Sequence, residues 1–250
     1  MAETFKPHDI QWTYPKIDHL WAFYGTTPAY DELYFSFGGG ISLIRFVRRY
    51  LSLKDRLVLD YGSGRGYMLQ LLLKMGITCQ GLDFSAGSVE LIQKTLGGHP
   101  LFRGMIHAPD VPTPVADGSM DVVLLLEVVE HLFDDQLAPT FQDIYRILKP
   151  GGYLVVTTPN AENLEQSMIR CPECGCTFHR WQHMRSVTPE LLRGWVTAGG
   201  FHEIVTRTTY FWPTRGWLDD LKIQLGVMYR TLTGVPEPTQ NLVTIVQKPH

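Results

Sequence analysis

No window of this sequence supplies the roughly 18 uncharged, apolar residues that a membrane-spanning helix requires. The opening MAETFKPHDIQW also lacks the basic start, apolar centre and small-residue cleavage site of a secretion signal. A cytoplasmic protein with no membrane partner is therefore expected. Cysteine is scarce: there are four, and Cys171, Cys174 and Cys176 crowd together while Cys79 stands apart. That spacing suits a metal in a reducing compartment better than separate disulfides. An excess of positive charge is missing too, since 22 Lys and Arg face 25 Asp and Glu for a net charge of -3. No global field gathers polyanions, so nucleic acid is not an expected partner. The cluster Arg45, Arg48, Arg49, Lys54 and Arg56 reads as a solvated helix face. Internal repeats and low-complexity tracts are absent.

What is present is enough for one large α/β domain: 250 residues, 44% of them hydrophobic. Residues 1–40 are rich in aromatics without a clear period of 2 or 3.6, which predicts a partly helical cap over some other part of the fold. Helical spacing follows at Ile41–Leu51. Strands are then predicted at Leu57–Asp60, Thr78–Asp83, Leu101–Met105, Asp121–Leu126 and Tyr153–Thr158. Between them, helices are predicted at Tyr67–Met75, Ser88–Leu96 and Thr140–Leu148, the last stopped by Lys149-Pro150-Gly151-Gly152. Apolar strands alternating with helices imply a mostly parallel sheet buried on both faces, a Rossmann-like arrangement. Beyond it lie an irregular stretch at 161–186, a helix at Pro189–Ala198 and a strand at His202–Thr209. A helix at Trp217–Leu232, inside a lid-like segment spanning 211–238, and a last strand at Leu242–Gln247 complete the chain.

The stretch LVLDYGSGRG places the ligand site, because in an open parallel sheet the first strand-to-helix turn touches the ligand. Gly62, Gly64 and Gly66 give G-x-G-x-G and not the G-x-G-x-x-G of a dinucleotide site, and Asp60 stands at the mouth of the loop. Two like charges about 4 Å apart repel by roughly 4 kcal/mol at an effective dielectric of about 20. A phosphate is a poor guest beside Asp60 and a cation a better one. Asp83, closing the second strand, is placed to accept hydrogen bonds from a ribose diol. A ligand with a ribose, an ammonium group and no phosphate is S-adenosyl-L-methionine. Each position alone has a plainer explanation, since glycine permits a tight turn and an acid ending a strand caps the next helix.

At this point the sequence resembles the class I methyltransferases, in particular the quinone-ring and type 11/12/23 subgroup. The resemblance is carried by LVLDYGSGRG, GLDFS, DGSMDVVLLLEVVEHL (117–132), RILKPGGYLVVTTPN (146–160) and HMRSVTPELLRGWVTAGGF (183–201). It implies a seven-stranded, mostly parallel sheet. It implies too that Asp60, Tyr61, Gly62, Ser63 and Gly64 surround the methionine moiety, and that Asp83 meets the ribose with Phe84 and Ser85 at the adenine. Glu127 then stands beside ligand and acceptor. The acid that relatives often carry after the third strand is missing from RGMIHAPD, which leaves Met105 or Ile106 backbone, or Asp110, for the adenine amino group.

A hydroxyl acceptor must lose a proton, and His131 and His183 are the candidates to take it. Glu127, Glu130 and His131 fall at i, i+3 and i+4, on one face if a helix starts promptly. Two readings follow: a divalent metal site, as in similar small-RNA 2′-O-methyltransferases, or a cofactor-orienting Glu127 with His131 packed beneath. In CPECGCTFHRWQH the spacing Cys171-x2-Cys174-x4-His179-x3-His183 matches a structural Zn²⁺ knuckle, with Cys176 as the alternative to His183. Arg170, Arg180 and Arg185 either meet an anionic acceptor or lie on the surface.

The expected activity is methyl transfer from S-adenosyl-L-methionine to a small-molecule acceptor, foremost at oxygen, by a single domain with a zinc-knuckle insertion at 161–186. The alternatives are a metal-dependent RNA 2′-O-methyltransferase, a nicotinamide oxidoreductase disfavoured by Asp60, and a cofactor-binding module without turnover.

Overall fold

The computed structural model describes residues 5–213, 217–233 and 240–250. Seven strands build the main sheet: β1 (Leu57–Tyr61), β2 (Thr78–Asp83), β3 (Phe102–His107), β4 (Met120–Leu126), β5 (Leu148–Pro159), β6 (His202–Thr209) and β7 (Asn241–Gln247). Their spatial order is β3-β2-β1-β4-β5-β7-β6. The first five run parallel, and β7 lies antiparallel to both of its neighbours.

Alternate residues of each strand feed two separate cores. Val58, Val122, Leu124, Val155 and Ile245 face one side, and Leu59, Val123, Leu125, Leu154 and Val246 face the other. Helices of matching periodicity close both sides. Helix α1 (Tyr14–Thr26) contributes to neither core; on the first side lie α2 (Gly40–Val47) through Leu43, Ile44 and Val47, and α3 (Tyr67–Lys74) through Met68, Leu69 and Leu72. Also there is α4 (Ala86–Leu96), by Ile92; on the second side are α5 (Asp134–Ile147) and α6 (Pro189–Ala198), by Phe141, Ile144, Leu192 and Val196. The two-sided burial is what the uninterrupted apolar strands require.

Several boundaries move for local reasons. Helix α5 starts at Asp134 and not Thr140, because Pro139 lies inside it on an exposed face, where water can meet the carbonyl that loses its partner. Strand β3 continues to His107, two residues past the expected end. The 161–186 stretch forms a hairpin of Met168–Arg170 against Cys176–His179, and His8–Asp9 adds to it in parallel as a third strand. A last helix, α7, covers Trp217–Thr233. The lid-like segment expected at 211–238 falls partly outside the described residues, at 214–216 and 234–239.

Candidate active site

Strand order reverses between β1 and β4, and there the carboxyl ends of the strands open into a cavity of about 570 Å³. One end is the glycine loop. Gly62 has φ +82°, and a Cβ there would stand 2.8 Å from Val128 Cγ2, so both conformation and space demand glycine. The loop's amides are spent within the chain. Gly62 and Ser63 N–H donate to the Leu82 carbonyl at 2.8 and 3.0 Å, Gly66 N–H to Ser63 O at 2.8 Å, and Gly64 N–H to Asp83 Oδ2 at 2.8 Å. A phosphate finds none of these donors free.

Two buried acids define the electrostatics of this end. Burial pushes Asp60 up to about 7, with the nearby Asp83 charge adding to the rise. Asp83 is lifted to about 6 by burial, against the pull of the Ser85 and Gly64 N–H groups on its two oxygens. Each oxygen retains a lone pair for a further donor. Among the described residues, Asp60, Tyr61, Gly62, Ser63, Gly64, Asp83, Phe84, Ser85 and Glu127 all line the cavity. Ile106 does not: because β3 runs on, Ile106 remains paired to Leu82 within the sheet and packs into the second core. Ala108, Pro109 and Asp110 stand at the wall instead. No described residue of 211–233 reaches it.

The opposite end is built where the chain leaves β4. Residues 127–133 form turns and not a helix, so the expected helical face of Glu127, Glu130 and His131 does not exist. Glu127 adopts φ +52°, a conformation that costs a non-glycine residue about 1 kcal/mol. Burial pushes Glu127 up to about 7, tempered by the Thr157 hydroxyl and reinforced by Glu162. Burial and the Glu127 charge drive Glu130 far above the carboxylate range. Its Oε2 accepts from Thr158 Oγ1 at 3.0 Å, while Oε1 is buried without a hydrogen-bond partner. His131 Nδ1 donates to the Gln182 carbonyl at 3.4 Å, which leaves the lone pair on Nε2, 4.0 Å from Glu130 Oε1. Burial, with His183 nearby, lowers His131 to about 3, so the ring is neutral.

His183 also lines the cavity, its ring edge-on to His131 at 4.9 Å between centroids. The hairpin and the N-terminal cap complete this wall. Trp21 Nε1 donates to Gln182 Oε1 at 3.2 Å, Tyr24 OH to Arg180 O at 2.8 Å, and Gln182 Nε2 to His131 O at 2.9 Å. Tyr14, Tyr30, Tyr34, Tyr67 and Trp181 add aromatic surface to the lining, beside Ile17, Glu32, Leu33 and Gln136.

The expected Cys₂His₂ knuckle is not formed. Gly175, at φ +80°, makes the turn, and the thiol of Cys171 is held below its usual range by the Cys174 and Glu173 backbone amides. Among the described residues, however, no three of Cys171, Cys174, Cys176, His179 and His183 bring ligand atoms within 4.8 Å of one another. The reason is Glu162, which draws both histidines inward: its Oε2 accepts from His183 Nδ1, and its Oε1 lies 3.5 Å from His179 Nε2. Burial would raise Glu162, but these two histidines outweigh it and hold it at about 2. The groups that do converge are Glu130, His131, His183 and, separately, Glu162, His179, His183. The three arginines also serve the fold. Arg170 bonds Thr177, Arg180 stacks on Trp181, and Arg185 holds Val129 O and Asp134.

Residues 59–156 match a family model described as a methyltransferase domain. A relative from Mycolicibacterium smegmatis, named "Probable S-adenosylmethionine-dependent methyltransferase", is 32% identical over 41% of this chain and 38% of its own length. The ubiquinone biosynthesis O-methyltransferase of Coxiella burnetii is 21% identical over 70% of this chain and 76% of its own. The crystal structure of a SAM-dependent methyltransferase from Archaeoglobus fulgidus superposes with a TM-score of 0.57 at 20% identity, covering 83% of this chain and 92% of the other. The chain is thus similar to S-adenosylmethionine-dependent methyltransferases and shares their fold, while spanning 38% of the length of the Mycolicibacterium relative. The methyltransferase fold explains why the motifs fall in this order: each marks the carboxyl end of a strand beside the reversal. Sequence reasoning missed Glu162 and Gln182 at this site, and no spacing signal tied Trp21 and Tyr24 to them.

Proposed function

We propose that the protein transfers the methyl group of S-adenosyl-L-methionine to an oxygen atom of a small-molecule acceptor in the cytoplasm. One observation carries this reading. A single cavity has, at one end, two buried carboxylates and a glycine loop whose amides are already engaged, and at the other two histidines among aromatic walls. Asp60 and the 61–64 loop would hold the methionine part, Asp83 the ribose hydroxyls, Phe84 and Ser85 the adenine. The bound sulfonium supplies a methyl group and departs as a neutral thioether, so no oxyanion cradle is needed. Positioning by the walls supplies most of the rate, up to roughly 7–11 kcal/mol. His183 takes the hydroxyl proton, since His131, lowered to about 3, is too weak a base. The aromatic lining suits a planar, hydroxylated ring, and the name of the Coxiella relative supports an oxygen acceptor.

Calorimetry tests the cofactor: S-adenosyl-L-methionine should bind and NAD should not, and Asp83→Ala should weaken binding by about 1–3 kcal/mol. Tight NAD binding with S-adenosyl-L-methionine ignored would sink the reading. Release of S-adenosylhomocysteine in the presence of catechol, but not in its absence, separates a catalyst from a binding module.

A second reading is favoured by the partnerless Oε1 of Glu130. With the Nε2 lone pair of His131 and a nitrogen of His183 it forms a mixed carboxylate and imidazole set that fits Zn²⁺ or Mn²⁺. Such an ion would hold acceptor oxygens and ease loss of the proton. Mn²⁺ binding should then vanish in Glu130→Ala; equal Mn²⁺ affinity in that variant rejects the site.

A further inference from the structure

Glu162 belongs to neither the glycine loop nor the E-x-x-E-H turn, yet it sits at the centre of the histidine wall. It leaves the sheet just after β5, where Ala161 at φ +47° turns the chain and donates its N–H to Val187 O at 2.8 Å. Both carboxylate oxygens face imidazoles, Oε2 toward His183 Nδ1 and Oε1 toward His179 Nε2.

The protons of these rings can be assigned from their partners. Nδ1 of His179 accepts backbone N–H from Trp181 at 3.3 Å and from His183 at 3.1 Å, so the His179 proton is on Nε2, facing Glu162. A cation between Glu162, His179 and His183 would need the lone pair that this proton occupies. With these tautomers the trio offers a metal no free lone pair on His179, whose Nε2 lies 3.5 Å from Glu162 Oε1 as a charge contact and not a hydrogen bond. His183 must carry its own proton on Nδ1, because a carboxylate oxygen only accepts. Its ring is clamped further by stacking on His179, with centroids 4.6 Å apart and planes 22° apart.

We propose that Glu162, braced by His179, is the positioning residue of the acceptor side: it fixes His183 as the Nδ1–H tautomer and keeps the Nε2 lone pair for the acceptor. This rests on the reading that His183 faces the acceptor, whether it takes a proton or holds an ion there. A carboxylate in this position also makes the ring a stronger base or ligand.

The test is long-range proton–nitrogen NMR on the full chain with ¹⁵N-labelled histidine. His183 of the native protein should show a single tautomer, protonated at Nδ1. In Glu162→Gln, and in Glu162→Ala, that tautomer should give way to a mixture or to Nε2–H. A native His183 protonated at Nε2 overturns the proposal even if neither variant folds, and so does a folded variant that keeps the Nδ1–H form. With catechol as probe acceptor, Glu162→Gln should lower kcat about tenfold or more while leaving the KM for S-adenosyl-L-methionine unchanged. In a His183→Ala background the same change should add nothing, and full additivity would count against the coupling. Failure of every acceptor would strike the proposed activity, whereas the ring tautomer decides this inference separately.

Discussion

Asp60 and Asp83 make the cofactor end of the site sensitive to pH. Burial has lifted them to about 7 and about 6, so the empty pocket takes up protons as the solution is acidified through neutrality. A cationic ligand is attracted by the ionised forms alone, and binding near neutral pH must expel protons. Affinity for S-adenosyl-L-methionine should therefore be full at about pH 8 and fall progressively toward about pH 5.5. Calorimetry in buffers of different ionisation enthalpy would detect the released protons, and a flat profile would contradict the assignment. The sign for stability is the reverse of the usual acid. A carboxyl whose folded pKa is raised contributes stability below its unfolded value of 3.8 and loses it as pH rises toward 7. The acids were legible in the sequence because each closes an apolar strand. Glu162 and Gln182 were not, since no motif links them to partners set by the tertiary fold, as Trp21 Nε1 and Gln182 Oε1 meet across 161 positions.

The loop between β3 and β4 shows how an element without regular structure is held to the site. Asp143 of α5 is buried; it accepts from the Thr113 amide and hydroxyl at 3.2 and 2.7 Å and pairs with Arg146. Arg146 reaches on to the carbonyls of Thr113 and Val115. The network pins the proline-rich stretch whose beginning, Ala108–Val111, lines the cavity. Asp143→Ala leaves the Thr113 amide and hydroxyl without their acceptor and takes one partner from Arg146, and should destabilise the fold by about 1–3 kcal/mol in denaturant titration. Hydrogen exchange should rise first at Ala108–Val111. Element type was readable wherever periodicity was strong, as at β2 and α6, whose bounds agree with expectation. It failed at the E-x-x-E-H phrase, where correct spacing for a helix met a backbone that turns instead.

Over the whole molecule, two distant stretches are joined into one cover. His8–Asp9 pairs with the hairpin at Cys176–Thr177, and α1 and the hairpin exchange hydrogen bonds above the cavity. In sequence, the N-terminal aromatics and residues 161–186 stand out because both depart from the strand and helix rhythm. The sequence did not reveal that the two meet, since parallel pairing of so short a strand leaves no pattern. The cysteine spacing likewise carried no sign of Glu162, which meets both histidines of the expected set.

Leu82 lies under the glycine loop with its carbonyl already accepting two amides. A diphosphate would thus meet main-chain amides already engaged within the chain. Replacing Asp60 or Asp83 by a neutral residue would remove repulsion without creating a cradle, so retooling this scaffold for NAD would require rebuilding the turn itself.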